Sequence, residues 1–197
     1  MAAAFGNGHR NTERRNGGRS QTGTSEVAGG LNSFQGIRLD TQHPFERRKE
    51  LEMTITKENV EEFFYRYAMS FKDGLEGSLD MEALRSLYSS HFIAAGPQGV
   101  MTGDNDHAFG EKVSKGYEQY RQIGTKAMTV TAVEVHPIGE THCLAHVGWN
   151  SEFEKDGRRI DVPFTNAYLL EQNHGKLKVF GWITGDEVQV LKDKGLM

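Results

Sequence analysis

The feature that most constrains this chain is one turn, Lys155-Asp156-Gly157-Arg158, which lies between two long stretches of alternating apolar and polar residues. An Asp-Gly pair in such a place predicts a two-residue type I′ turn, since both central residues of that turn need positive φ. The turn fixes the register of the strands 142–153 and 159–171, because residues pair outward from it one by one. The sequence therefore predicts a β-hairpin whose pairing can be written in advance.

Pairing outward from the turn brings nearly every apolar residue of both strands onto one face, so turn chemistry and hydrophobic alternation agree. The predicted inward pairs are Phe153 with Ile160, Ser151 with Val162, Trp149 with Phe164, Val147 with Asn166, Ala145 with Tyr168 and Cys143 with Leu170. We expect a long antiparallel sheet with one buried face, completed by strands at 127–136 and 177–184.

Upstream of this sheet, apolar residues recur at the helical period of 3.6. A first helix is predicted after Thr56, which can cap it, and its apolar face is Val60, Phe63, Phe64, Tyr67, Ala68 and Phe71. A second, shorter helix and a small hairpin within 92–102 follow. A third helix is predicted between Asp104 as its N-cap and Gly124 as its end.

The composition of the chain changes near residue 53. Residues 1–52 contain no Trp or Tyr and are rich in Gly, Arg and small polar residues, so little apolar surface is available to offset chain entropy. We predict a disordered leader over 1–52 and one α+β domain over 53–197, which is long enough for a core of ordinary size. Met53 directly precedes the first helix, as an initiator would if the leader were absent from the native protein.

Charge and cysteine content bear on several classes of function. The net charge is −4 and the leader is the more basic part, which argues against nucleic acid as a partner of the domain. The sequence has no apolar run long enough for a transmembrane helix, so no membrane contact is predicted.

Cys143 is the only cysteine, which rules out an intrachain disulfide and predicts a reducing, cytoplasmic setting. No glycine-rich phosphate loop precedes a helix, and no cofactor is predicted.

The histidines do not form a metal motif by their spacing. His142 and His146 are four residues apart on one strand, so they stand roughly 13 Å apart and cannot share an ion. Alternation places His146 with Leu144 and Asn150 on the outer face of the sheet. We therefore predict no metal site, and His136 before Pro137 carries no strong functional signal either.

The order of elements, three helices with a short hairpin before the third and then a long antiparallel sheet, resembles the nuclear transport factor 2-like (SnoaL-like) superfamily. Val100-Met101-Thr102-Gly103 before the third helix and His174-Gly175-Lys176-Leu177-Lys178-Val179 at the last strand are similar to segments of that superfamily. The resemblance implies a cone-shaped α+β fold whose helices cover a concave sheet and leave a pocket. It also implies a homodimer formed through the outer face of the sheet.

The pocket implied by this fold is lined by the inward face of the hairpin. Its expected strand residues are Trp149, Phe164, Asn166 and Tyr168, and Tyr67 or Tyr88 are expected from the helical part. Asn166 interrupts an apolar face, and a buried amide without a partner costs about 1–3 kcal/mol. It is bonded either to a helix backbone or tyrosine hydroxyl, or to the carbonyl or hydroxyl of a ligand that Tyr168 also contacts.

Asp186 is the candidate catalytic residue, because cyclase-like members of the superfamily carry an acid on the last strand. If Leu177, Val179 and Ile183 point inward, Asp186 points outward and caps a short helix, unless a bulge at Gly185 reverses the strand. The isomerase-like template needs a carboxylate base near 93–97, where the sequence has none.

Three functions follow from these observations. The first is a homodimeric domain that binds a small apolar or aromatic molecule in its pocket. The second is an isomerase-, cyclase- or dehydratase-type enzyme with Asp186 or a histidine as the acid or base. The third is a non-catalytic interaction module that uses the outer face of the sheet.

Overall fold

The computed structural model describes residues 54–197, so the predicted leader lies outside the described residues. The domain is α+β, as predicted. Its elements are α1 (Lys57–Glu76), α2 (Met81–Ser86), β1 (Tyr88–Gly96), β2 (Gly99–Asp104), α3 (His107–Gln122), β3 (Thr125–Ile138), β4 (His142–Lys155), β5 (Arg158–Asn173), β6 (Lys176–Ile183) and α4 (Glu187–Asp193). Among the residues described, no helix is long and apolar enough to cross a membrane.

The six strands form one sheet in the order β2-β1-β6-β5-β4-β3. Neighbouring strands are antiparallel except for β1 and β6, which run parallel. Strands β2 and β3 are therefore the two edges. Pro137 lies on β3, where an edge strand tolerates a residue without a backbone N–H.

The β4–β5 hairpin has the predicted turn and the predicted register. Asp156 and Gly157 have φ values of 52° and 70°, as a type I′ turn requires. Trp149 pairs with Phe164, and every other inward pair derived from the sequence is present. Burial alternates along β4, because one face of the hairpin packs against the helices and the other does not.

Helix α1 begins at its predicted cap and covers the concave face of the sheet. Thr56 and Asn59 form a capping box, in which the Thr56 hydroxyl accepts from the Asn59 N–H and the Asn59 side chain accepts from the Thr56 N–H. Close packing against α3 depends on Gly74, where an added Cβ would lie 2.4 Å from Cε1 of Tyr117. The apolar stripe of α1 thus explains both the helix and its docking onto the core.

The N-terminus of α3 differs from the prediction by two residues. Its cap is Asp106, whose carboxylate accepts from the Phe109 N–H at 3.0 Å. Asp104 instead ends β2, and its carboxylate lies 2.6 Å from Nδ1 of His91 on β1. Both aspartates suit a cap, and only the pairing of β2 with β1 decides between them.

A bulge in β6 overturns the expectation that Ile183 points inward. Leu170 pairs with Val179 but Leu169 pairs with Gly181, so Phe180 is the additional residue. Beyond the bulge, Trp182 is buried at 7% exposure and Ile183 lies outside at 52%. Strict alternation therefore assigns the residues after the bulge to the wrong face of the sheet.

Candidate functional site

Strand β5 extends beyond its neighbour β6, and this difference creates a gap in the sheet. Pairing between β5 and β6 begins only at Ala167, so residues 158–166 have β4 on one side and no strand on the other. Pro163 lies in this stretch, which fits a segment with one open edge. Helix α4 lies across the gap, where its Leu191 packs with Phe153 and Val162 in a second, smaller core.

A pocket of about 210 Å³ lies between this free part of β5 and α4. Three residues singled out from the sequence line it, namely Phe164, Asn166 and Asp186. Its other walls are Ser151, Phe153, Val162, Thr165, Thr184, Gly185, Glu187, Val190 and Leu191. The pocket is mostly apolar, with a few polar groups at its floor and rim, as small-molecule sites usually are.

The other four residues predicted for the pocket pack against one another in the core. The ring centroids of Tyr67 and Trp149 are 5.8 Å apart, and those of Tyr67 and Tyr88 are 6.2 Å apart. Phe64 fills the space beside Tyr168, at a centroid distance of 4.8 Å. The predicted site residues thus form two groups, one lining the pocket and one forming an aromatic cluster behind it.

Asn166 connects the two groups. Burial raises the pKa of the Tyr168 hydroxyl to about 12, and contact with the Asn166 amide is the largest effect that lowers it again. The Asn166 amide thus lies beside the Tyr168 hydroxyl, and whether that hydroxyl or a ligand bonds it stays a prediction. The same side chain lines the pocket, so a ligand can reach it as well.

The aromatic cluster holds further polar atoms. The hydroxyls of Tyr67 and Tyr88 are hydrogen-bonded at 2.8 Å. The indole N–H of Trp149 is buried and makes no hydrogen bond to any described residue. Trp149 nevertheless lowers the pKa of Tyr168, which fits an approach of the two groups that falls short of hydrogen-bond geometry.

Comparison with known families and structures gives the fold its name. A family model described as NTF2-like protein (DUF6841) matches residues 57–187. The chain belongs to this NTF2-like family.

Two solved structures are similar to this NTF2-like chain. An NTF2-like protein with a cystatin-like fold from Novosphingobium aromaticivorans is 15% identical, with a TM-score of 0.54, and the match covers 82% of this chain and 99% of that one. Aln2 from a Streptomyces species is 12% identical, with a TM-score of 0.51, and the match covers 71% of this chain and 99% of that one. At these identities the likeness shows the fold alone. The search of curated proteins found no match.

Asp186 of the NTF2-like domain lies at the rim of the pocket as a helix cap. It is exposed, and its carboxylate accepts from the Gln189 N–H at 2.9 Å. A capping carboxylate is held toward the backbone of its own helix. The capping role expected for Asp186 is present, although the alternation argument for it assumed an inward Ile183, which lies outside.

Glu187, the next residue, is the acid that the sequence reasoning missed. It is half-buried, lines the pocket, and accepts a hydrogen bond of 2.6 Å from the Tyr120 hydroxyl. The pKa of Tyr120 is raised well above its ordinary value, first by burial and then by the charge of Glu187. Its place directly after a capping aspartate was the available signal, because the first turn of a helix often carries an acid.

A larger groove of about 690 Å³ runs along α1 and β3. Its walls include the exposed side chains of Tyr65 and Met69 and the free edge of β3. None of the residues predicted for the pocket lines it. We regard the smaller pocket as the candidate site, because it is the more enclosed of the two and contains a buried amide.

Proposed function

We propose that this NTF2-like domain binds a small apolar or aromatic molecule with one hydrogen-bonding group in the pocket beneath α4. The observation that supports this most is the buried amide of Asn166 at the wall of a mostly apolar pocket of about 210 Å³. An apolar cavity of about 150 Å³ is enough to hold benzene. The pocket therefore suits a ligand of about the size of one substituted ring.

The hydrogen-bonding capacity of Asn166 exceeds what Tyr168 uses. A side-chain amide has one acceptor oxygen and two N–H donors. The Tyr168 hydroxyl beside it can take only one of these, and the pocket adjoins the same amide. A ligand hydroxyl or carbonyl bound there would satisfy a further group and be oriented by it.

The test compares Asn166→Leu with Asn150→Leu. Asn150 lies on the neighbouring strand, outside the pocket, and its amide donates to Asp161 at 2.9 Å. We expect phenol-sized fragments to bind the wild type in ligand-observed NMR, and Asn166→Leu to weaken binding about tenfold, the value of one lost hydrogen bond to a ligand. Asn150→Leu should bind as the wild type does.

Native mass spectrometry of protein purified from its own host supplies a second measurement. A retained small molecule in the wild type and its loss in Asn166→Leu would support the proposal. If no fragment binds the wild type and no molecule is retained, the pocket proposal is wrong. An empty dimer would then favour an interaction module that uses the outer face of the sheet.

We further propose that the domain forms a homodimer through that outer face. Apolar side chains cross the strands there, since Leu144 of β4 is opposite Leu169 of β5, and Phe180 in the β6 bulge lies on the same side. Ile93 and Ile183 continue the patch, with 43% and 52% of their surfaces exposed. A contiguous exposed patch of this kind is typical of a protein–protein contact.

Leu169→Lys and Tyr65→Lys form a matched pair for the dimer. Leu169 lies in the centre of the patch, whereas Tyr65 is an exposed residue of α1 with 65% of its surface accessible. Sedimentation at micromolar concentration should show a wild-type dimer, a monomer for Leu169→Lys and a dimer for Tyr65→Lys. A wild type that sediments only as a monomer contradicts the proposal.

Glu187 favours a second candidate function, acid–base catalysis of the isomerase, cyclase or dehydratase type. Its carboxylate lines the pocket and is hydrogen-bonded to a buried tyrosine, which is an arrangement suited to proton transfer. Incubating the protein with small cyclic ketones in D2O tests this, because a working base incorporates deuterium beside the carbonyl. Glu187→Gln should abolish the exchange and Asp186→Asn should retain it. Absence of exchange in the wild type leaves binding as the function.

A further inference from the structure

Three side chains with metal-ligating atoms meet on the outer face of the sheet, near its β3 edge. They are Glu134 and His136 of β3 and His146 of β4. Their ligand atoms all lie within 4.8 Å of one another, and Nε2 of His136 is 3.3 Å from Oε1 of Glu134. The imidazole rings of His136 and His146 are 5.4 Å apart between centroids and nearly perpendicular, at 82°.

The strand register explains why these residues converge. Glu134 is directly opposite His146, and His136 lies two residues further along β3, so all three side chains project from the same face. The pairing of β3 with β4 is regular from Ala132 to Ile138. Two of the three side chains thus project from β3, and the third projects from the neighbouring strand β4.

We propose that Glu134, His136 and His146 form a binding site for a divalent metal ion of the zinc class. Two imidazoles and one carboxylate are a common zinc donor set, and three protein ligands leave a position for water or another small ligand. Imidazole ligands favour zinc and its neighbours in the first transition row, whereas Mg²⁺ and Ca²⁺ prefer oxygen ligands. The site lies apart from the pocket under α4, whose walls include none of these residues.

The distances can be closed without moving the backbone. Bonds of about 2.0–2.2 Å in a tetrahedral site place ligand atoms roughly 3.4 Å apart, so a separation at the 4.8 Å limit must shrink by about 1.4 Å. The side chains of His136 and Glu134 are 48% and 72% exposed, and His146 is half-buried. Neither exposed side chain is packed in the core, so each can turn toward His146 by a change of rotamer within one chain.

Other histidine–carboxylate pairs of the described domain provide controls. His91 is 2.6 Å from Asp104, and His107 is 3.5 Å from Glu111. Neither pair belongs to a group of three such ligands. A pair that lacks the second imidazole should bind zinc far more weakly, so His91→Ala is the matched control for loss of a histidine beside a carboxylate.

The experiment is calorimetric titration of ZnCl2 into the full chain, untagged and freed of metal by a chelator. We expect one ion per chain, no heat from MgCl2 at the same concentrations, and shifts of the His136 and His146 imidazole signals in NMR. Loss of a group that only orients a metal ligand already costs about 10- to 100-fold in metal affinity. His136→Ala and His146→Ala should therefore each weaken zinc binding at least tenfold, while His91→Ala should bind as the wild type does.

Three results would overturn the site. They are no zinc binding by the wild type, unchanged binding in both the His136 and His146 variants, and a stoichiometry of one ion per two chains. The last result would place the ion between copies of the chain instead of within one. Far-UV circular dichroism of each variant confirms that a loss of binding is not a loss of fold.

Discussion

Raising the pH should unfold this domain over a narrow range, because five of its six tyrosines are buried. They are Tyr67, Tyr88, Tyr117, Tyr120 and Tyr168. Burial is the first cause of the raised pKa of each, and for Tyr168 the pKa is about 12. A phenolate within the aromatic cluster would lose its hydration without gaining a counter-charge.

The sign and the magnitude follow from proton linkage. In the unfolded chain a tyrosine loses its proton near pH 10, whereas the native state keeps it, so the unfolded state binds fewer protons above that pH. Each buried tyrosine contributes fully to the free energy of unfolding below about pH 10, and this contribution is lost as the pH rises toward the pKa of that tyrosine in the native state. Five groups together lower the free energy of unfolding by about 7 kcal/mol per pH unit. Against a total stability of about 5–15 kcal/mol, unfolding should follow within roughly two units.

Urea denaturation followed by circular dichroism, repeated from about pH 8 to about pH 12, measures this slope. Tyrosinate absorbance recorded in parallel should rise together with unfolding. Tyr168→Phe removes one of the five groups and should reduce the slope by about one-fifth. Tyr65→Phe, which removes an exposed phenol from α1, is the control substitution.

A domain that keeps its full stability to about pH 12 would refute the reasoning. So would tyrosinate absorbance showing that most of the phenols ionise near pH 10 while the protein remains folded. Either outcome would mean that water or nearby charge compensates the buried hydroxyls, and that the cluster is less dry than its packing indicates.

Three further predictions concern packing, capping and the thiol. Gly74→Ala should lower the free energy of unfolding by about 1–2 kcal/mol in urea denaturation, since the clash with Tyr117 outweighs the better helix propensity; an increase in stability would contradict it. Asp186→Ala removes the cap that accepts from Gln189 and should cost about 0.5–2 kcal/mol, seen as faster hydrogen exchange in α4 with β4 unaffected. Burial raises the pKa of Cys143 to about 11, so the thiol should react with a disulfide reagent only in urea, and rapid reaction of the native protein would disprove this.

The sequence alone determined the β4–β5 hairpin and the core face of α1. The register of the hairpin depends on Asp156 and Gly157 and on residues that alternate beside them, all within thirty positions. The stripe of α1 depends on a helical period that repeats from Val60 to Phe71. Such signals are local, because the turn residues and the repeating apolar residues that determine each element lie within that element.

Only the tertiary structure decided which inward residues meet the pocket. Asn166 and Phe164 line it because β6 stops pairing at Ala167 and α4 occupies the gap, whereas Trp149 and Tyr168 are covered by α1. The bulge at Phe180, which places Trp182 inside, has no signal in the alternation of β6. Both the lining of the pocket and the face of Trp182 depend on how strands and helices far apart in the sequence pack together.

The group formed by Glu134, His136 and His146 shows the same limit. The spacing of His142 and His146 along one strand excluded a shared ion, and that reasoning covered only a single strand. The second histidine comes from β3, whose register on β4 is shifted at Val130 and Ala132 by an irregularity that the sequence does not announce. Local sequence determines what a segment forms, whereas long-range strand pairing, whose energy depends on residues far apart in the chain, determines which side chains become neighbours.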